Sequence, residues 1–259
     1  MRFAAKTAFA AADLFLGDYP GPRILIYHQI GAGLGRQMEV TIDSFQAQVS
    51  WLIKNKTVVD LDTAIESRGQ PGADRLVVLT FDDGYADFYR FGFPLLLAHK
   101  LPFVLYLTTE PIETGQPFGP REAVPLNWDQ VGDMAASSLM TIGGHTHRHP
   151  DLRFMGPDEV SVELSTSDDL IARRVGHAPL HFAYPYGYWS QAADAAVRER
   201  YASATLGGGP PITAATDPLM LHRLPIQLSD GDFFFRRKLL KGLRLEETAR
   251  RMLTRYHGP

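Results

Sequence analysis

The sequence contains no cysteine, which excludes a disulfide framework and removes the thiolate as a nucleophile or metal ligand. That absence leaves the compartment open, because a chain of 259 residues can bury a core large enough to need no covalent staple. No stretch approaches the ~18 continuous apolar residues of a bilayer span. Charge of one sign is also scarce: 26 Lys and Arg stand against 29 Asp and Glu, a formal net of −3. The global balance therefore draws the chain to no nucleic acid, and partners have to be argued locally. There is no repeat of roughly 20 to 50 residues, no P-loop, no Rossmann glycine fingerprint and no Gly-x-Ser-x-Gly elbow, so serine-hydrolase chemistry has no local support.

What is present reads as one globular domain. Hydrophobic residues make up 45% and charged residues 21%, the proportions of an ordinary soluble protein. A chain of this length is near the upper limit for one core, and α/β barrels routinely use it as a single domain. Residues 1–16 have two early cations and an alanine-rich run that imitate a signal peptide, but Asp13 interrupts the apolar segment. A short amphipathic helix, an extension over residues 1–19 ahead of a domain at 20–259, is the expectation, and with it a cytoplasmic protein.

Residues 75–81 are a branched apolar run too short for a helix, and they read as a strand buried on both faces. It closes on Asp82-Asp83-Gly84. Adjacent carboxylates at a buried strand end repel each other, and their desolvation needs a cation or a donor network to offset it. An ordinary Asp-Gly turn is the competing reading. A second stretch, Thr141-Ile-Gly-Gly-His-Thr-His-Arg-His-Pro-Asp-Leu152, places histidines just past another candidate strand. His145 and His149 are close enough in sequence to reach one ion, and with one carboxylate they make a two-histidine, one-carboxylate set. Such a set leaves positions open for water and substrate, as a catalytic metal requires. A histidine-rich surface loop is the alternative for this stretch alone; the two stretches together favour metal chemistry.

Strand and helix alternate along the chain. Strands are expected at residues 23–30, 58–61, 102–108, 202–205 and 219–224. Helices are expected at 41–54 (with Phe45, Val49, Leu52 and Ile53 on one stripe), 63–68, 89–99, from Asn127 onward, 157–175 and 190–199. That order predicts parallel strands with helices outside, a distorted (β/α) barrel. Residues 109–126 read as a long loop without periodicity, where Glu110, Glu113, Arg121 and Glu122 are candidate substrate contacts. Trp128 either stacks on a sugar face or bridges helix and barrel. His28 is a satisfied core histidine, a pocket-lining residue or a catalytic one. After Gly231 the chain carries Phe, Leu and cations into a cationic helix over 246–256. Its solvated outer face is the simple reading, and peripheral contact with an anionic membrane the alternative.

Thr80-Phe-Asp-Asp-Gly-Tyr85 and His145-Thr-His-Arg-His-Pro150 resemble the first two motifs of the polysaccharide deacetylase (NodB-homology) family of metal-dependent carbohydrate esterases. Leu25-Ile-Tyr-His-Gln-Ile30 is similar to the first strand of many members, and Phe182-Ala-Tyr-Pro-Tyr-Gly187 to the third motif of the exopolysaccharide branch. The likeness covers roughly residues 20 to 225. It implies Asp83, His145 and His149 as metal ligands and Asp82 as the general base. It implies the backbone N–H of Tyr186 as an oxyanion donor and His222 as the acid, in preference to His177, His181 and His257. The metal would be zinc by ligand type, with nickel or cobalt able to substitute. The substrate would be an acetylated amino-sugar glycan or glycolipid. Deformylation or another C–N amide hydrolysis, and a degenerate carbohydrate-binding domain, are the alternatives. The sequence departs from the pattern at Ala183, where many members carry an arginine that orients the base, and Arg223 is the expected substitute. The usual fourth-motif aspartate and tryptophan have no counterpart near residues 200–215.

Overall fold

The computed structural model describes residues 20–118 and 123–240. The amphipathic segment expected over 1–19, Arg121, Glu122, the cationic helix expected over 246–256 and His257 lie outside them.

Ten strands occur among the described residues: β1 (Arg23–Tyr27), β2 (Gln29–Ile30), β3 (Glu39–Val40), β4 (Thr57–Val58), β5 (Leu76–Phe81), β6 (Phe103–Leu107), β7 (Met140–Gly144), β8 (His181–Ala183), β9 (Ser203–Gly207) and β10 (Leu221–Pro225). Seven of them form a ring in the order β1-β10-β9-β8-β7-β6-β5, closed by a β1–β5 pairing, and every pair is parallel. The alternation of residue direction along a strand sorts the apolar runs into two layers. Ile24, Val78, Val104, Tyr106, Ala183 and Leu221 pack together inside the ring, while Leu25, Leu79, Phe81 and Leu105 face the helices. Tyr106 fills so much of the interior that a Cβ on Gly143 would come within 2.3 Å of its ring, so β7 requires glycine there.

The helices are α1 (Ile42–Asn55), α2 (Leu61–Glu66), α3 (Phe93–Ala98), α4 (Thr109–Thr114), α5 (Trp128–Ala136), α6 (Pro157–Val175), α7 (Gln191–Arg200) and α8 (Gly231–Leu240). Asn127 caps α5 in a reciprocal capping box with Gln130, as its side chain chemistry predicts. On α1, Phe45, Val49 and Leu52 are buried, but Ile53 is 43% exposed, one position round from the stripe expected to include it. On α8, Phe234, Phe235 and Leu239 face the core, and the buried Lys238 ammonium donates to Asp230 (2.7 Å) and the Pro225 carbonyl (2.6 Å).

Three expectations are corrected. The strand expected at 58–61 is only Thr57–Val58, because Asp60 accepts from the Thr63 N–H at 2.7 Å and starts α2 at Leu61. A cap of this kind is worth about 1 kcal/mol. The loop expected over 109–126 begins with α4, which Gly115 ends in a left-handed conformation. The helix expected over 89–99 opens instead as a π-turn, Phe88–Gly92, before α3. No described helix is long and apolar enough to cross a membrane.

Candidate active site

In a parallel barrel all strands end at one mouth, and β5 delivers Asp82 and Asp83 there. The Asp82 N–H donates to the Tyr27 carbonyl at 3.0 Å, extending the β1–β5 ladder by one residue. The chain then turns sharply, with Asp83 at φ 73° and Gly84 at φ 85°. Six described non-glycine residues have positive φ, and Asp83, Thr146, His149 and Tyr186 are four of them. Backbone strain of about 1–3 kcal/mol per residue is thus concentrated on one cluster of loops, as occurs where surrounding structure holds functional groups in place.

The two aspartates end in different surroundings. Asp82 faces inward, where Arg223 clamps it with two parallel hydrogen bonds of 2.7 Å. Arg223 also donates to the Thr80 hydroxyl at 3.0 Å, which in turn donates to the Leu25 carbonyl at 2.7 Å. Burial alone would raise the Asp82 carboxyl, but the Arg223 guanidinium, helped by His145 and His28, holds it below the ordinary range.

Asp83 has no such clamp. Its Oδ1 is buried without a hydrogen-bond partner, and the Nε2 atoms of His145 and His149 stand 3.5 and 3.4 Å away. Burial works against the Asp83 anion, but His145, His28 and His149 hold its carboxyl well below the usual range. The His145 Nδ1 donates to the Ala183 carbonyl at 2.6 Å, which fixes the ring and leaves Nε2 to face Asp83. Burial pulls His145 down, but Asp83 and Asp82 outweigh it and raise it. Burial, reinforced by the charge of His145, pushes His149 down to about 4.

The ligand atoms of Asp83, His145 and His149 all lie within 4.8 Å of one another. Two ligands about 2.0–2.2 Å from a tetrahedral zinc sit roughly 3.3–3.6 Å apart, which is the spacing of the two short contacts. An orphaned buried carboxylate oxygen costs on the order of 1–3 kcal/mol, and a cation between it and the two imidazoles would remove that cost. The residues fit a divalent metal.

Residues 69–203, more than half of the chain, match the family model described as polysaccharide deacetylase. The chain belongs to the polysaccharide deacetylase family. It is 25% identical over 171 residues to YxkH of Bacillus subtilis, covering 65% of this chain and 57% of that protein. It is 32% identical over 123 residues to the poly-beta-1,6-N-acetyl-D-glucosamine N-deacetylase of Escherichia coli K12, covering 43% of this chain and 18% of that one. The chain thus spans little more than half of the first relative and under a fifth of the second. IcaB of Ammonifex degensii shares the fold at a TM-score of 0.74 with 20% identity, over 87% of this chain and 97% of that one. The closed parallel barrel with outer helices is thus a fold the chain shares with IcaB.

Within the family frame, the structure brings together Asp82, Asp83, His145, His149 and Arg223. Tyr186 joins them: it follows β8 at φ 59°, and its ring centroid lies 4.6 Å from that of His149. Gly187 holds that turn, since a Cβ there would meet the Gly207 backbone at 2.4 Å.

His222 is not brought to the site. Arg223 faces the barrel interior, so the preceding residue faces outward, and the His222 Nδ1 bonds the Gly208 carbonyl at 2.8 Å on that outer side. His181 lies at the opposite end of the ring, bonded to Ser203 and 3.6 Å from Asp62. His177 is exposed and bonds the neighbouring Ala178 carbonyl. His28, however, follows Tyr27, whose hydroxyl donates outward to Gln48 on α1. The same alternation turns His28 inward beside Asp82, with its Nδ1 buried and unpartnered. Glu113 accepts from Trp128 (2.6 Å) and pairs with Arg174 (2.7 Å), so these residues tie α4, α5 and α6 together. The Glu110 N–H donates to the His147 carbonyl at 2.9 Å, a backbone tie to the histidine loop.

Glu163, which sequence reasoning missed, is 1% exposed. It accepts from the backbone N–H groups of His147 (3.1 Å) and Arg148 (2.9 Å) and pairs with the Arg148 side chain at 2.5 Å. It thereby braces the loop between the two metal-site histidines from α6. The signal was available: Glu163 interrupts the apolar stripe of Val160, Leu164 and Ile171, and a carboxylate on a core-facing stripe needs partners.

Replacing Arg223 by Met tests the inner clamp. With Asp82 left buried and unpaired, Arg223→Met is expected to cost about 3–5 kcal/mol at pH 7. The clamp depresses the folded-state pKa of Asp82, so its stability is present above the ordinary carboxylate pKa and is lost as pH falls through the folded value. The gap between parent and variant should therefore narrow on acidification below about pH 4. Urea unfolding across pH reads this, and a pH-independent gap would assign the effect to packing alone.

Proposed function

We propose that the chain is a divalent-metal-dependent hydrolase that removes N-acetyl groups from an N-acetylhexosamine-containing glycan. The observation that carries this reading is the orphaned Asp83 oxygen facing two imidazole nitrogens, next to a second carboxylate clamped by Arg223. Deacetylation of a polysaccharide is also what the name of the Escherichia coli relative describes for that protein.

Asp83, His145 and His149 would hold the ion, zinc by ligand type with nickel or cobalt able to replace it. Once bound, the ion supplies Lewis-acid polarisation of the acyl group and lowers the pKa of water. Asp82 is the base. Arg223 takes one lone pair of each of its oxygens, keeps it ionised and fixes its plane, leaving a lone pair to accept the proton of an attacking water. The clamp lowers basicity and guarantees the anion. The backbone N–H of Tyr186, held by its left-handed turn, is the proposed oxyanion donor. His28, inward-facing beside Asp82, takes the role of leaving-group acid that the resemblance had placed on His222.

An acid that protonates the leaving nitrogen matters in proportion to how poor that leaving group is. His28→Ala is therefore expected to lose amide deacetylation by on the order of a hundredfold while retaining most activity on a nitrophenyl acetate. His222→Ala should lower both substrates alike or neither. An amide-selective loss in His222→Ala, with His28→Ala unaffected, would return the role to His222. The reaction class itself is tested by measuring acetate and formate release from a panel of acylated amino sugars alongside metal content. Formate release without acetate release would replace deacetylation by deformylation.

A further inference from the structure

Helix α8 buries one face and leaves the other to solvent. Phe234, Phe235 and Leu239 are buried, and the Phe235 ring packs edge-on against Trp51 at 5.9 Å. Lys238 is buried with them, its ammonium committed to Asp230 and the Pro225 carbonyl. The opposite stripe, at the helical spacing i, i+3, i+4, i+7, consists of Phe233, Arg236, Arg237 and Leu240. Phe233 is 64% and Leu240 52% exposed. Arg236 pairs on the surface with Asp232, one turn earlier, at 2.8 Å, a contact that contributes little in water. Exposed apolar residues scattered singly are ordinary. An aligned stripe of apolar and cationic residues is instead the pattern of a helix lying on an anionic bilayer, where arginine stems follow the apolar surface and their heads reach lipid phosphates.

The distribution of charge along the chain selects the occupant. Of the 26 Lys and Arg and the 29 Asp and Glu, eight and three respectively lie in residues 231–259. This segment is therefore cationic and the remainder acidic, so an anionic surface attracts the chain here and repels it elsewhere. Val162 on α6 supplies the contrast. It is 60% exposed, but the same helical spacings around it hold Asp158, Glu159, Ser165 and Asp169, whose carboxylates such a surface rejects. The position of α8 agrees. The Leu240 carbonyl accepts from Arg23, the first residue of β1, at 3.5 Å, whereas the Leu228 N–H donates to the Gln37 carbonyl, just before β3, at 2.9 Å. Helix α8 thus runs down the barrel wall from the mouth end to the opposite end, and docking through its outer stripe leaves the mouth uncovered.

We propose that the outer stripe of α8 docks the chain on an anionic lipid bilayer, with Phe233 and Leu240 entering the interface and Arg236 and Arg237 pairing with lipid phosphates. Docking does not depend on which reaction the metal site performs.

The test sediments the full chain with vesicles of phosphatidylcholine alone and of an equal mixture with phosphatidylglycerol. Binding to the mixed vesicles is expected to exceed binding to the neutral ones by on the order of tenfold or more and to weaken as salt is raised. Arg236→Gln should lower affinity for the mixed vesicles about fivefold. Phe233→Ser combined with Leu240→Ser should lower it on the order of tenfold or more, with thermal unfolding like that of the parent because both side chains are exposed. Since the chain has no cysteine, Phe233→Cys and Val162→Cys each accept a single polarity-sensitive dye. Emission from position 233 should shift to the blue on the mixed vesicles, and emission from position 162 should not. Equal binding to neutral and mixed vesicles, binding without a blue shift at 233, or binding that survives the double serine variant would overturn the proposal. A dimer that forms with rising concentration and is lost in the double serine variant, with no vesicle binding by the parent, would assign the stripe to a second copy of the chain instead.

Discussion

Asp82→Asn is expected to leave the metal site loaded and to lower turnover by roughly a hundredfold or more, the usual magnitude for a lost general base. The substitution keeps the shape of the side chain and removes its capacity to take a proton. It also changes the clamp. One oxygen can still accept from Arg223, but the amide nitrogen now opposes a guanidinium N–H, so one charge-assisted bond of 2.7 Å is lost. A stability loss of about 1.5–3 kcal/mol should accompany the catalytic one. The measurements are metal content by mass spectrometry, kcat and KM for acetate release, and unfolding in urea. Because the base acts only as the proton is transferred, kcat and kcat/KM should fall together, with KM little changed. Turnover like that of the parent in Asp82→Asn would take the base role away from this residue.

The second large effect is metal loss. Asp83→Ala, His145→Ala and His149→Ala should each empty the site and abolish turnover, because the remaining two ligands cannot hold the ion against water. Thermal unfolding gives a readout independent of activity. Zinc at a hundred times its dissociation constant should stabilise the parent by about 2.7 kcal/mol, visible as a higher Tm, and should leave the three variants unmoved. Glu163→Gln belongs beside them as a graded control. It keeps the volume but weakens the bonds to His147, Arg148 and the Arg148 side chain, so metal affinity should fall by about ten- to hundredfold without being lost. If all three ligand variants bound zinc like the parent, the site would be elsewhere.

Much of this was legible in the chain because the signals are local. Buried parallel strands need apolar residues on both faces, so the runs at β1, β5 and β6 stood out. Asp82-Asp83 and the His145–His149 spacing were visible because each pair of groups lies within one turn of the backbone. The misplaced elements also have local causes. Asp60 competes with strand geometry as a helix cap, and a six-residue helix such as α4 is too short to show a period.

His222 and Arg223 were both assigned to the site from sequence, yet neighbours on a strand face opposite sides. The pattern could have excluded the pair and could not say which to keep. Tertiary structure made that choice. Closing β10 between β9 and β1 sets its register, and one residue of slip would have sent Arg223 outward and His222 in. The contact between Arg223 and Asp82 spans 141 positions, and that between Ala183 and His145 spans 38. No local propensity encodes either. The sequence by itself therefore determined the chemistry at hand, two carboxylates and two imidazoles at strand ends. The resemblance implied how the two aspartates divide, but only ring closure shows the physical cause: Arg223 of β10 reaches Asp82, while Asp83 is left facing two imidazoles, because those surroundings depend on what the neighbouring strands bring to the mouth.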